Sequence, residues 1–183
     1  MRISVIGRGN VGGGLADLWE RAGHDVSRLG RDGGDVSDAE TVLLAMPGSS
    51  IAGALGAVGG LEGKVVIDAT NLVRTEPPEG FASNAEWVKS RTGGPTAKAF
   101  NINFAAIYDR LADASTPPGN LWCGDEEARD AVETLSRDAG FEAVYAGPLE
   151  NAAAQEQFLT LVFAVAQGGM GPFFYRMAPP GEF

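Results

Sequence analysis

The sequence is poor in the residue types that build metal centres and disulfides. It contains a single cysteine, Cys123, and a single histidine, His24. One cysteine cannot form an internal disulfide, which favours an intracellular setting. One cysteine and one histidine also cannot supply a zinc site or a Cys/His nucleophile, so we expect no metal site. For His24, which follows Gly23 at a predicted helix end, a capping or surface role is favoured over catalysis.

Basic residues are also few. The chain has 14 Lys and Arg against 24 Asp and Glu, which gives a net charge of −10. Without a basic face to neutralise phosphates, nucleic acid and anionic membranes are not expected as partners. No apolar run approaches the roughly 20 residues of a membrane span. Because the chain also opens in strand-like sequence instead of a signal peptide, we expect a cytoplasmic protein.

Short β-branched runs alternate with segments of helical periodicity along the chain, which is typical of a parallel sheet covered on both faces. We predict strands at Arg2–Ile6, Asp25–Leu29, Thr41–Met46, Lys64–Ala69, Thr96–Phe100, Leu121–Cys123 and Glu142–Tyr145. Helices are predicted from Val11 to Ala22 and at Ser49–Val58, Ser83–Arg91, Phe104–Leu111, Asp125–Ala139 and Phe158–Val165, the last broken at Gly168-Gly169. The fold class is therefore α/β, a Rossmann-like, doubly wound and mostly parallel sheet with a small C-terminal helical segment.

The length of 183 residues suits one domain with its own core. We expect a single nucleotide-binding domain over residues 1–183. Its nucleotide-binding core spans 1–147, a C-terminal helical segment spans 148–177, and 178–183 form a loose tail.

A glycine loop directly follows the first predicted strand and opens the first predicted helix. It reads Gly7-Arg8-Gly9-Asn10-Val11-Gly12, and in this context G-x-G-x-x-G predicts a dinucleotide site. Gly7 permits the tight turn, Gly9 lets a pyrophosphate approach the backbone, and Gly12 allows helix and strand to pack closely. The helix N-terminus offers free N–H groups to the phosphates. We predict that all six residues bind the cofactor.

The end of the second predicted strand favours NADP over NAD. An NAD site places Asp or Glu there to bind the ribose 2′-hydroxyl, whereas this chain has Gly30 followed by Arg31. A guanidinium suits a 2′-phosphate, and Arg8 could flank the same group. Asp32 argues the other way, because a shift of one residue would put a carboxylate at the ribose.

The connection from Arg31 to the strand at Thr41 is unusually short. A parallel crossover normally needs a dozen or more residues and contains a helix, but an extended chain of the length Asp32–Glu40 can cross a sheet without one. We therefore expect the sheet to be cut down on the side that covers adenosine.

Beyond the glycine loop, several short motifs follow one another in a recognisable order. They are Met1-Arg2-Ile3, Gly23-His24, Gly30-Arg31, Ala45-Met46-Pro47, Val66-Ile67-Asp68-Ala69-Thr70-Asn71, Lys98-Ala99-Phe100-Asn101, Cys123-Gly124-Asp125 and Ala146-Gly147-Pro148-Leu149. In order and spacing the chain resembles the NADPH-dependent reductases of the deazaflavin coenzyme F420. Their nucleotide domain is shared with pyrroline-5-carboxylate reductases and with the cytoplasmic domain of transmembrane metalloreductases.

The resemblance implies an oxidoreductase that uses NADP(H), takes coenzyme F420 as second substrate and forms a homodimer. It implies that nicotinamide lies over Met46-Pro47-Gly48 and Asn71, and that the second cofactor stacks near Asn101-Ile102-Asn103 and the C-terminal glycine-rich segment. Asn101 and Asn103 could equally be residues that structure their loop. Direct hydride transfer needs alignment and a dry site and no acid–base pair. We accordingly predict no catalytic side chain, in agreement with the lack of a Ser/His/Asp set.

Two alternatives remain open. In an imine reductase of the pyrroline-carboxylate type, a substantial helical domain would follow Leu149, and that domain is missing here. A non-catalytic NADP(H)-binding sensor or subunit is motivated by the short crossover and by Ala153, which stands where the resembled reductases often have Arg. A closed pocket beside the nicotinamide would count against this second alternative, and a bare apolar surface would favour it.

Overall fold

The computed structural model describes residues 1–73 and 75–181. Within these residues the strands are β1 (Arg2–Ile6), β2 (Asp25–Leu29), β3 (Gly34–Asp35), β4 (Thr41–Leu44), β5 (Val58–Gly59), β6 (Val65–Asp68), β7 (Thr96–Lys98), β8 (Gly119–Gly124) and β9 (Glu142–Tyr145). The α-helices are α1 (Asn10–Arg21), α2 (Ile51–Gly56), α3 (Asn84–Thr92), α4 (Arg129–Asp138) and α5 (Ala152–Val165). Short 3₁₀ segments precede α2, α4 and α5, and a longer one covers Ala105–Asp113.

Seven strands form the main sheet in the order β2-β1-β4-β6-β7-β8-β9. All neighbours pair in parallel except β7 and β8, which are antiparallel. The predicted mostly parallel, Rossmann-like sheet is confirmed, and β1, β2 and β9 have the predicted bounds. In the sheet, β2 lies on one side of β1 and β4 lies on the other, so the direction in which successive strands are added reverses at β1. This reversal opens a crevice at the carboxyl ends of β1 and β4, where open α/β sheets bind ligands.

Alternation along each strand divides the core between the two faces of the sheet. Ile3, Val5 and Leu43 face the layer that contains Leu15 and Trp19 of α1. Their strand neighbours point the other way, toward α2 and α3; this second core includes Val42, Leu44, Ile51, Val66 and Val88. The period of two residues in β4 therefore places each side chain on a buried face, as a central parallel strand requires.

The short crossover contains no helix, as predicted. The residues between β2 and β4 form only the two-residue strand β3, which pairs in parallel with β5 outside the main sheet. Gly33 has a φ of +71°, and a Cβ atom there would lie 1.8 Å from the carbonyl oxygen of Ala57. The side of the sheet next to β2 is therefore covered by a thin loop.

The helix of the C-terminal segment begins before the apolar stripe that was predicted for it. The helix α5 starts at Ala152, and a π-helical turn, Ala166–Met170, extends it. Gly169 has a φ of +118°, which confirms the predicted break at the glycine pair. Of the predicted loose tail, Ala178–Gly181 form no helix or strand, and Glu182 and Phe183 lie outside the described residues. Among the described residues, no helix is long and apolar enough to cross a bilayer.

Candidate dinucleotide site and adjoining cavity

The glycine loop has the geometry that its sequence predicts. Gly7 has a φ of +117°, and a Cβ atom there would lie 2.1 Å from the carbonyl oxygen of Ala45. A Cβ atom on Gly12 would lie 2.1 Å from the carbonyl oxygen of Gly7. At Gly9 no heavy atom lies within 4 Å of the Cβ position, so its backbone is open to approach. Gly7 and Gly12 are thus required by the fold, while Gly9 leaves space for a ligand.

The first turn of α1 leaves its amide groups without side-chain partners. Gly9 is the N-cap and contributes no side-chain hydrogen bond, and the first turn contains no acidic residue. The first N–H groups of any α-helix lack intrahelical acceptors, and the helix dipole adds a partial positive charge at this end. The loop can therefore bind an anion such as a pyrophosphate.

A cavity of about 770 Å³ lies at the crevice between β1 and β4. Of the predicted cofactor residues it brings together Gly7, Arg8, Gly30, Arg31, Met46 and Pro47. The rest of the lining comes from Ile6, Ala45, Ser49, Ser50, Gly53 and Ala54, which the sequence did not point to. Gly9, Asn10, Val11, Gly12, Gly48 and Asn71 are not part of this lining.

Two arginines flank Gly30 at the end of β2. The Nε and Nη2 atoms of Arg8 donate to the carbonyl oxygen of Arg28 at 3.3 and 2.9 Å. A Cβ atom on Gly30 would lie 3.5 Å from Cζ of Arg8, so the glycine leaves the guanidinium room beside the cavity. Arg31 is exposed and has no hydrogen bond or ion pair with any described residue.

The neighbouring Arg28, unlike Arg31, is paired with acidic side chains. Its Nη2 atom contacts carboxylate oxygens of Asp17 and Glu20, each at 2.7 Å. These hydrogen bonds raise the pKa of Arg28 above its usual value. Since Arg28 is already paired with acids, Arg31 and the partly engaged Arg8 are the cations that the cavity offers to a phosphate.

The loops that follow β4, β6 and β7 are joined by amide side chains. Asn84 donates to the carbonyl oxygen of Gly48 at 3.2 Å and to the hydroxyl of Thr70 at 3.1 Å. Asn71 donates to the carbonyl oxygen of Asn101 at 2.8 Å and accepts from the Asn101 amide at 2.9 Å. A Cβ atom on Gly48 would lie 2.6 Å from the carbonyl oxygen of Asn71. The predicted nicotinamide residues therefore lie side by side.

A second cavity, of about 540 Å³, has Asn71 in its lining. It is lined by Asn71, Leu72, Val73, Glu156, Leu159, Thr160, Phe163, Ala164 and Gln167. The last six come from α5 and the turn that extends it. The predicted substrate region near the C-terminal segment thus corresponds to a real concavity beside the predicted nicotinamide loop.

Asn101, Ile102 and Asn103, predicted to contact the second substrate, do not line this cavity. Each is buried, with 3–6% of its surface exposed. The Oδ1 atom of Asn101 accepts from Gln155 at 2.8 Å, and the amide of Asn103 donates to the carbonyl oxygen of Gly119 at 2.9 Å. These contacts organise the loop beneath the cavity.

The sequence did not predict a buried ion cluster between β6, β7 and α5. The Nζ atom of Lys98 donates to Asp68 at 3.0 Å, to Glu156 at 2.6 Å and to the carbonyl oxygen of Thr70 at 2.5 Å. The side chains of Lys98 and Asp68 are fully buried, and that of Glu156 is 9% exposed. An Asp and a Lys at the ends of adjacent apolar strands were a usable signal. Glu156, far away in the chain, gave none.

Other chemistry-bearing groups lie away from this edge or are inert. The side chain of His24 is 7% exposed and contacts Asp138 at 3.0 Å, so it makes a structural contact. Burial raises the pKa of the Cys123 thiol to about 12, so the thiol is neutral. Among the described residues, no group of three metal-ligating side chains comes together.

The fold is shared with solved NADP-linked reductases, although no family model and no curated protein sequence matches the chain. The chain superposes with a TM-score of 0.79 at 23% identity on a chain of Arthrobacter sp. FB24 described as an F420-dependent NADP reductase. The superposition covers 98% of this chain and 100% of that one. An imine reductase of Streptomyces aurantiacus gives 0.68 at 18% identity. A reductive aminase of Aspergillus terreus in complex with NADPH gives 0.67 at 15% identity.

These structures differ in how much of their own length the present chain spans. The present chain is covered to 91% by the last two, but it spans only 63% and 62% of their lengths. At these identities the comparisons establish the architecture: the chain has the Rossmann-type fold of these reductases, over the full length of the Arthrobacter chain.

Proposed function

We propose that this protein is an NADP(H)-dependent oxidoreductase that transfers a hydride between NADPH and a deazaflavin of the coenzyme F420 type or a similar electron carrier. The observation that carries the proposal is that the loops after β4 and β6 each line a cavity, Met46 and Pro47 the first and Asn71 and Leu72 the second. Gly7 and Arg8 of the glycine loop also line the first cavity, and α5 forms one wall of the second. Two adjacent sites suit direct transfer between two bound molecules.

NADP(H) fits the first cavity on three counts. The uncapped start of α1 can take the pyrophosphate. Gly30 presents no carboxylate to a 2′-phosphate, and Arg31 has no partner among the described residues. Bound NADPH would supply the hydride, while Arg8 and Arg31 hold its phosphate end. The NADPH-bound aminase with the same fold supports this assignment.

The nicotinamide end is assigned to Met46, Pro47, Gly48 and Asn71. Asn71 faces the second cavity, and Asn101 holds its side-chain amide from below. We therefore propose that Asn101-Ile102-Asn103 act on the second substrate by positioning Asn71. The walls contributed by Leu159 and Phe163 would exclude water from the reacting rings, which hydride transfer requires.

A non-catalytic NADP(H)-binding subunit is the second candidate. It is favoured by the exposure of apolar side chains around the second cavity, since Val73 is 59% and Phe163 40% exposed. Such a surface could belong to a partner that receives the nucleotide. The two candidates differ in one respect: only the enzyme transfers a hydride by itself.

We propose further that two copies of the chain associate through the exposed part of α5. From Gln157 to Tyr175 the sequence contains no charged residue, although the chain carries a net charge of −10. Leu161, Val165 and Met170 are each 46–65% exposed along this stretch. An uncharged apolar face can meet its own copy without placing like charges opposite each other. The resemblance to dimeric reductases supports the same assembly.

The test of the function is a binding titration followed by a transfer assay. Wild-type protein, Arg31→Ala and Arg21→Ala are titrated with NADPH and NADH by nucleotide fluorescence. Arg31→Ala is expected to weaken NADPH binding by about 1.5–3 kcal/mol, the scale of a charge-assisted hydrogen bond, and to leave NADH binding unchanged. Arg21, exposed at the far end of α1, is the control for loss of one positive charge.

The transfer assay mixes wild-type protein, NADPH and a deazaflavin, and follows both chromophores. Matched loss of NADPH and reduction of the deazaflavin support the enzyme. NADPH binding without any transfer would overturn the enzymatic proposal and favour the subunit. Equal affinity of wild type and Arg31→Ala for NADPH would refute the phosphate role of Arg31.

A further inference from the structure

The ion cluster between β6, β7 and α5 has a net charge that follows from its hydrogen bonds. The Nζ atom of Lys98 has three acceptors, which uses all the protons of an ammonium group. Asp68 accepts from Lys98 with Oδ2 and from the N–H of Thr70 with Oδ1, at 2.8 Å. Glu156 accepts from Lys98 with Oε1 and from the N–H of Leu72 with Oε2, at 3.0 Å. All four carboxylate oxygens face donors, so both acids are ionised.

One cation and two anions leave one negative charge in excess. Lys98 is the only described cation within ion-pair distance of either carboxylate. Cys123 lies in the field of all three groups, and burial keeps its thiol neutral by raising its pKa to about 12. Water screens the cluster little, because at most 9% of any of the three side chains is exposed.

The excess charge lies at the wall of the second cavity. Glu156 lines that cavity together with Asn71 and Leu72, and its Oε2 atom is bonded to the backbone of Leu72. The nicotinamide end is assigned to this same loop. The carboxylate of Glu156 is therefore the group of the cluster that lies in one cavity wall with Asn71, the residue to which the nicotinamide end is assigned.

A fixed negative charge distinguishes the two forms of the nicotinamide ring. The reduced ring is neutral, and the oxidised ring carries one positive charge. When NADPH gives up a hydride, the two electrons and the hydrogen leave C4 for the acceptor, and the positive charge appears on the ring. A nearby buried anion stabilises that positive charge and favours the oxidised form of the bound nucleotide.

We propose that Glu156, held in place by Lys98 and Leu72, tunes the bound nucleotide toward NADP⁺ and so toward hydride donation. The inference rests on the proposed function, because it needs a nicotinamide at Asn71. Glu156 acts here as a positioning and electrostatic residue on the bound couple, and no proton transfer is involved. Its signature is the ratio of the dissociation constants for NADP⁺ and NADPH, since a mere loss of folding or of site shape weakens both.

The experiment measures both dissociation constants by calorimetry for wild type, Glu156→Gln and Glu127→Gln. Glu127 is exposed at the start of the 3₁₀ turn before α4, and its variant changes net charge equally. For Glu156→Gln we expect the ratio of the NADP⁺ constant to the NADPH constant to rise about ten-fold, the scale of one charge acting at short range through partly screened protein. For Glu127→Gln we expect no change. An unchanged ratio in Glu156→Gln would overturn the proposal.

A second variant and the wild type itself guard against a folding defect. Asp68→Asn removes the same charge from the opposite side of Lys98 and should move the ratio in the same direction. If wild type binds neither nucleotide, the proposed function fails. If wild type binds both nucleotides without transferring a hydride, only the enzymatic part of the proposed function fails. The ratio of the two dissociation constants still tests the role of Glu156.

Discussion

The carbonyl oxygen of Gly7 occupies the space that a side chain on Gly12 would need, 2.1 Å from its Cβ position. This contact joins the end of β1 to the first turn of α1 and sets the angle at which the helix leaves the sheet. The same angle points the free amides of the helix into the loop. Packing of the fold and geometry of the anion site therefore depend on one missing methyl group.

Gly12→Ala is expected to destabilise the protein and to reduce NADPH binding together, because the backbone of Gly7 must move. We expect a loss of about 1–3 kcal/mol in the free energy of unfolding, the usual cost of overpacking. Urea denaturation and nucleotide titration measure the two effects. Gly13→Ala is the control, since a Cβ atom there meets its nearest neighbour at an ordinary 3.5 Å. It should be neutral or stabilising by about 0.5–1 kcal/mol, and a similar loss in both variants would contradict the argument.

Local patterns predicted the first part of the fold well. The bounds of β1 and β2, the glycine loop and the stop at Gly23 all follow from residues close in sequence. In the structure Gly30 and Arg31 line the same cavity as Arg8. These features depend on turn geometry and on hydrophobic period, both of which a short window contains.

A short window of sequence does not show how strands and helices that are distant in the chain pack together. The antiparallel join of β7 and β8 reverses the last two strands, and their periodicity is the same in either direction. The salt bridge between Lys98 and Glu156 depends on where α5 docks. Most residues that line the second cavity come from the same docking, so the sequence left open whether Asn101 and Asn103 contact a substrate or structure their loop. In the structure both are buried.

Lys98→Met should be among the most damaging single changes in the chain. It leaves the carboxylates of Asp68 and Glu156 buried without their counter-ion, a defect that typically costs about 3–5 kcal/mol. Chemical denaturation provides the free energy of unfolding. Lys89→Met is the matched control, because Lys89 pairs with Asp125 at the surface and is 47% exposed. Exposed pairs contribute about 0–1 kcal/mol. Equal losses in the two variants would show that the buried cluster contributes no more to stability than a surface ion pair.

Stability is expected to fall as pH rises above the ordinary range of thiols. Burial raises the pKa of Cys123 and that of Tyr175 to about 12 in the folded protein. In the unfolded chain these groups ionise near about 8.5 and about 10. The unfolded state therefore loses protons first, and the stabilisation present below about pH 8.5 is lost progressively toward pH 12.

The Cys123 part of this effect can be isolated. Denaturation midpoints are measured between pH 7 and pH 10 for wild type and Cys123→Ala. Each ionising group contributes a slope of about 1.4 kcal/mol per pH unit, so the variant should lose less stability than wild type between pH 8.5 and 10. Parallel curves would mean that the thiol is accessible to water in the folded state.

Leu161→Glu should separate the proposed dimer into monomers while leaving the fold intact. The side chain is 63% exposed on α5, so a carboxylate there stays hydrated in the monomer but would be buried opposite its own copy in the dimer. Sedimentation at several protein concentrations measures the association. Ala114→Glu adds the same charge at an exposed site outside this face and should not change it. Added salt should strengthen association of the wild type, because it screens repulsion between two chains that each carry −10. A wild type that stays monomeric at high concentration and high salt would refute the assembly, and a dimer that survives Leu161→Glu would place the contact on another surface.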